Sequence, residues 1–129
     1  MPNYKAPRRD MQFVLYELLD IENHYSTLRG NGEVDRETIE MILEGGAKFS
    51  ENELAPLYRS GDEEGCLFEG GEVKTPAGFK AAYETFVADG WPSMASPEAH
   101  GGQGLPISLG TVFSEMLGSA NWPGPCTLA

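Results

Sequence analysis

Apolar residues recur at helical spacing in four stretches of the 129-residue chain, and each stretch predicts an amphipathic helix. The first opens after Pro7 and runs from Arg8 to Leu19, with Met11, Leu15, Leu18 and Leu19 on one side. Residues 20 to 34 lose the period, and Gly30-Asn31-Gly32 has the chemistry of a turn. Asp35 predicts an N-cap, because its carboxylate can accept the free amides of a first turn, and Glu37 suits the positive end of the helix dipole. The helix that follows carries Ile39, Ile42, Leu43, Ala47, Leu54, Leu57 and Tyr58 on one broad face. Gly45-Gly46 interrupts that face at a cost of about 1 kcal/mol per glycine relative to alanine. Either a partner helix approaches closely there, or the helix bends.

Gly61-Asp62-Glu63-Glu64-Gly65 predicts the end of this helix, and Cys66 to Lys74 predicts a hairpin turning at Gly70-Gly71, the only β signal in the chain. Thr75-Pro76 predicts an N-cap and first-turn proline for a third helix. Phe79, Ala82, Tyr83, Phe86 and Val87 form its inward side, and Gly90 stops it. A loop from Trp91 to Pro106 leads to a fourth stripe of Leu109, Val112, Phe113, Met116, Leu117 and Ala120. With no internal repeat and no linker, residues 1–129 read as one all-α domain: an orthogonal bundle of about four main helices with one short β-hairpin.

Composition supports a packed domain. A chain of this length buries roughly two-thirds of the surface its unfolded form exposes, and 40% of its residues are hydrophobic. The formal net charge of −11 repels nucleic acid and anionic lipid, so no nucleic-acid partner is expected. Lys5, Arg8 and Arg9 form the one basic cluster, and Glu17 and Asp20 follow the apolar run Phe13 to Tyr16 too soon for a secretory leader. No stretch approaches the roughly 20 apolar residues of a membrane span. Cys66 and Cys126 stand far apart without a Cys-x-x-Cys or a nearby histidine, which fits reduced thiols rather than a metal knuckle. A soluble, cytoplasmic protein is the expectation.

Motif chemistry is mostly negative. Gly101-Gly102-Gln103-Gly104 invites a phosphate-cradle reading, but Ile107 stands where a dinucleotide fingerprint starting at Gly102 needs its last glycine, and no strand precedes the loop. A tight structural connection fits better. Ser108 lacks the first glycine of a nucleophile elbow, Pro106 standing there, and does not follow aspartate as a carrier-arm serine would. Asp62-Glu63-Glu64 lacks calcium-loop spacing, and His24 and His100 are single. No catalytic residue, metal ligand or cofactor-binding residue is assigned.

Several strings, taken in order, resemble the N-terminal region of acyl-CoA dehydrogenases, specifically a long bacterial subgroup with an extra N-terminal helix. They are Tyr4-Lys5-Ala6-Pro7 with Asp10-Met11-Gln12-Phe13-Val14-Leu15, Asp35-Arg36-Glu37-Thr38-Ile39, Leu54 to Gly65, and Val73-Lys74-Thr75-Pro76-Ala77-Gly78-Phe79. Gly90-Trp91 and Gly101-Gly102-Gln103-Gly104-Leu105-Pro106 complete the set, so the resemblance covers roughly residues 4 to 121.

The resemblance implies an all-helical N-terminal domain, with residues 1–34 as the extra helix and loop. In complete members it is followed by a β-domain and a helical bundle that together hold FAD. A carboxylate base in the downstream part removes an α-proton from the acyl-CoA thioester while hydride leaves the β-carbon for the flavin. The resemblance therefore gives no glutamate of this chain the role of base, and leaves FAD unbound by the chain alone. It implies that the domain walls the acyl-chain cavity, with Leu105, Phe113, Met116 and Leu117 as candidates for that wall. Residues 122–129 depart from the family pattern, which leads to the expectation of a truncated chain, inactive by itself. Helix faces left without their neighbours should make it a homo-oligomer or part of a complex with the missing domains; the alternative is a non-catalytic helical interaction module, or a separate subunit that completes a site with a partner chain.

Overall fold

The computed structural model describes residues 3–28 and 34–122, an all-α fold with one two-stranded hairpin. The predicted turn at 30–32, the divergent tail from residue 123 and Cys126 lie outside the described residues. Helix α1 (Arg8–Gln12) passes directly into a wider π-helical stretch, Phe13–Leu18. Its extra residue per turn rotates the apolar stripe. Met11 and Leu15 are buried as expected, but Leu18 and Leu19 are exposed, Leu18 at 68%. The chain then reverses at Asp20, the one non-glycine residue with positive φ (45°) among those described. Aspartate tolerates this left-handed conformation better than most residues. Beyond it the sequence expectation fails: residues 21–27 are not aperiodic loop but a short helix, α2 (Ile21–Thr27), which buries Ile21 and Tyr25.

Helix α3 (Arg36–Phe49) starts where the sequence places its cap, with the Thr38 amide donating to Asp35 Oδ1 at 2.9 Å. It does not continue unbroken to Gly61. Pro56 has no N–H to donate back to residue 52, and its ring excludes an ordinary helical turn before it. The chain answers with a second π-helical stretch, Ser50–Leu54, closed by the Ala55 amide donating to the Ser50 carbonyl at 2.9 Å. Helix α4 (Leu57–Glu64) then begins afresh and ends at Gly65, whose amide bonds the Gly61 carbonyl. The broad apolar face is otherwise as predicted, except that Tyr58 is exposed.

The hairpin pairs β1 (Leu67–Glu69) with β2 (Glu72–Lys74), Phe68 opposite Val73, and turns at Gly70-Gly71, both at positive φ. Helix α5 (Phe79–Ala88) starts later than predicted. Thr75-Pro76 leads into a turn, the Gly78 backbone (φ 88°) opens the helix, and the Ala77 amide is held by Glu64 Oε2 at 3.0 Å. Phe79, Ala82 and Phe86 face inward while Tyr83 and Val87 do not, and Gly90 stops the helix at φ 79°. Helix α6 (Ile107–Ala120) buries Leu109, Phe113, Met116, Leu117 and Ala120. It packs chiefly on α3 and the π-helical stretch after it. The core is therefore a wedge of α3 and α6, closed by α1, α2 and α5.

Candidate functional site

The predicted cavity wall resolves into two parts. Phe113, Met116 and Leu117 are buried in the chain's own core. An alanine Cβ at Gly46 would lie 2.9 Å from the Phe113 ring and 3.3 Å from the Met116 sulfur, so it is the missing side chain that lets α3 and α6 close. This is the close approach that the glycine pair implied. Leu105 is half-buried instead, and borders a pocket of about 170 Å³ with Met41, Ile42, Trp91 and Met94.

Trp91 joins the two parts. Its ring stacks on Phe113 at 4.2 Å between centroids, and Phe113 in turn faces Phe86 at 6.1 Å and Phe49 at 6.4 Å. Trp91 also lines the pocket at Leu105. Its indole nitrogen is buried without a hydrogen-bond partner among the described residues. Trp91 was not among the candidate residues singled out from the sequence: a lone aromatic in an aperiodic loop has no period to betray it. Its place directly after the helix-stopping Gly90 was the available signal.

The glycine loop does not fit a flavin pyrophosphate. Such a group needs free backbone amides pointing at it, and here five in a row are taken. Gly101, Gly102, Gln103, Gly104 and Leu105 donate to the carbonyls of Glu98, Pro97, Ser93, Ser96 and Met94 at 2.9–3.1 Å. The Gln103 side chain adds a bond from Nε2 to the Gly90 carbonyl at 2.8 Å. At Gly102 a Cβ would run into the Ser96 carbonyl, so the glycine serves close contact between two backbone segments. Ser108 is likewise engaged, its hydroxyl 2.5 Å from that of the buried Tyr25. His24 and His100 are exposed, and no group of three potential metal-ligating side chains occurs among the described residues.

Two glutamates clasp the N-terminal segment to the core. Glu40 accepts from Gln12 Nε2 at 2.7 Å and from the Tyr16 hydroxyl at 2.8 Å, with the Arg8 guanidinium 3.7 Å away. Burial, then the bond to Glu40 and its charge, push the Tyr16 hydroxyl well above its ordinary pKa. Arg36 lies over the Tyr16 ring at 3.9 Å and bonds Glu22. Glu51 takes the Lys5 ammonium at 2.6 Å and the Ala6 amide at 3.0 Å, and the two bonds hold its carboxyl below the usual range. These contacts are positional: each ties one stretch of this chain to another. A wide groove of about 910 Å³ lies beside them, lined by Tyr4, Tyr58, Arg59 and Trp122 among others.

No family model matches the chain. Two curated relatives do. A 3-methylmercaptopropionyl-CoA dehydrogenase from Ruegeria pomeroyi is 37% identical over 126 residues, which is 97% of this chain and 21% of that protein. A butyryl-CoA dehydrogenase from Syntrophomonas wolfei is 30% identical over 122 residues, 92% of this chain and 20% of that protein. The chain spans about a fifth of the length of the curated relatives it matches.

Proposed function

We propose, taking as premise that this chain belongs with the acyl-CoA dehydrogenases along nearly its whole length, that it forms their N-terminal helical domain and is inactive by itself. Complete proteins of the family carry out FAD-dependent α,β-dehydrogenation of acyl-CoA thioesters. The observation that carries the reading is the pair of coverages: 97% of this chain aligns, with 21% of a dehydrogenase.

In this reading residues 1–129 make one domain whose part is packing. Leu105, with Trp91 and Met94 beside it, borders the acyl-chain side, while Phe113, Met116 and Leu117 hold that border in place from behind. The chain works in the cytoplasm, and an exposed free thiol at Cys66 suits a reducing compartment. No helix among the described residues is long and apolar enough to cross a membrane.

The test is turnover by the purified chain supplied with FAD, butyryl-CoA or 3-methylmercaptopropionyl-CoA, and an electron-accepting dye. No dehydrogenation and no stoichiometric flavin absorbance are expected; measurable turnover would overturn the assignment.

A second reading, a separate subunit that completes a site against a partner chain, is favoured by the apolar side chains left outward. Ile107 at the start of α6 is 81% exposed and Phe68 in the hairpin 71%. Co-expression with a polypeptide carrying the downstream domains decides it. A stable flavin-containing complex supports a subunit, and separate elution removes that reading.

A further inference from the structure

Residues 4–28 are held to the rest of the domain through side chains. Among the described residues, no backbone–backbone hydrogen bond crosses from them to residues 34–122. In every polar tie the group on the body of the fold is a side chain: Glu40 for Gln12 and Tyr16, Glu51 for Lys5 and the Ala6 amide, Arg36 for Glu22, and Ser108 for Tyr25. The fully buried part of the hold is Met11, Leu15, Ile21 and Tyr25.

The segment has little stability of its own. Helix α1 and its π-helical continuation span 5 and 6 residues and α2 spans 7, whereas an isolated helix needs roughly 12–15 residues to be even marginally stable in water. Asp20 between them is held at φ 45°, a conformation that a non-glycine residue keeps only where its surroundings impose it. Helix α2 packs back on the π-helical stretch, so loosening one loosens the other. The body is built otherwise: α3 and α6 have 14 residues each and pack on one another, closing around Gly46. Without its contacts the segment unwinds, while α3 and α6 keep theirs.

We propose that residues 4–28 form a strap that opens as one cooperative unit while α3, α5 and α6 stay packed together. Opening uncovers the flank of α3 beneath α1 and releases Ser108, at the head of α6, from Tyr25. The domain thus carries its own cover for that flank, with Glu40 and Glu51 as the two catches. The strap is a property of the fold, independent of any catalytic role.

The experiment is native-state hydrogen exchange of the full chain in low, increasing denaturant. The amides of Met11, Leu19 and His24 bond within the strap, to the carbonyls of Pro7, Val14 and Asp20. They should share one protection factor and one denaturant dependence, at least about tenfold below the slowest amides of α3 and α6. Glu51→Ala cuts only the ties at Lys5 and Ala6, yet should lower protection at all three amides by one factor of about ten. Gly110→Ala lies outside the strap, its added methyl meeting only Ala95 and Met94. It should raise protection in α3 and α6 about fivefold through helix propensity and leave the three strap amides unchanged. Should Glu51→Ala fold poorly, the Gly110→Ala comparison decides alone. Strap amides as protected as those of α6, or rising with them in Gly110→Ala, would show that the chain opens only as a whole. A Glu51→Ala effect that reaches Met11 but not His24 would show fraying from one end. Each of these results would overturn the proposal.

Discussion

Tyr16 is partly buried and donates to Glu40, so its hydroxyl stays protonated in the folded chain long after an unfolded tyrosine has ionised, although the Arg36 guanidinium over its ring acts in the opposite direction. A pKa raised on folding gives stability that is complete below the unfolded value of about 10 and is lost as pH rises through the folded one. Urea midpoints should therefore fall as pH rises above about 10, and Tyr16→Phe should flatten that fall. Tyr4 and Tyr25 shift in the same direction, both mainly through burial, so the slope should lessen without vanishing. An unchanged slope in the variant would show that the bond to Glu40 does not hold the N-terminal segment in solution.

At the scale of elements, two glycines of opposite consequence test how tightly the helices close. Gly46→Ala gains about 1 kcal/mol of helix propensity but drives a methyl to 2.9 Å from the Phe113 ring, and overpacking of that kind costs about 1–3 kcal/mol. Thermal unfolding should show net destabilisation. Gly110→Ala meets nothing closer than 3.8 Å, keeps the propensity gain, and should raise the melting temperature. Much of this architecture was legible in the residues, because Asp35, the Gly70-Gly71 turn and the stripe from Leu109 to Ala120 each declare their role locally. Counting at 3.6 residues per turn misplaced Leu18 and Leu19, since a π-helical stretch breaks the count. Ile21 and Tyr25 form too short a pair to signal α2, and Thr75-Pro76 looked like a helix start although the true start lies at Gly78. Of the candidate wall, the burial of Phe113, Met116 and Leu117 followed from helical spacing. Trp91 did not, because its partners come from α3 and α6, elements distant in sequence.

Taken whole, the described residues combine an apolar core, with Phe49, Phe86 and Phe113 at its centre, and several outward apolar side chains, in a chain of net charge −11. The side-chain bonds of Glu40 and Glu51 hold the chain's own segments in register. The stitched segment between α5 and α6 carries this furthest. Hydrogen exchange reports whether an amide must break a bond before it meets solvent, whatever the shape of the backbone around it. Gly101 to Leu105 contain no helix or strand beyond the end of one short turn, yet each amide is bonded to residues 93–98. These five should exchange as slowly as helical amides, and rapid exchange there would refute the bonding. A segment that reads on paper as the loosest in the chain would then behave as a rigid strut, fixing the distance between the helices it joins.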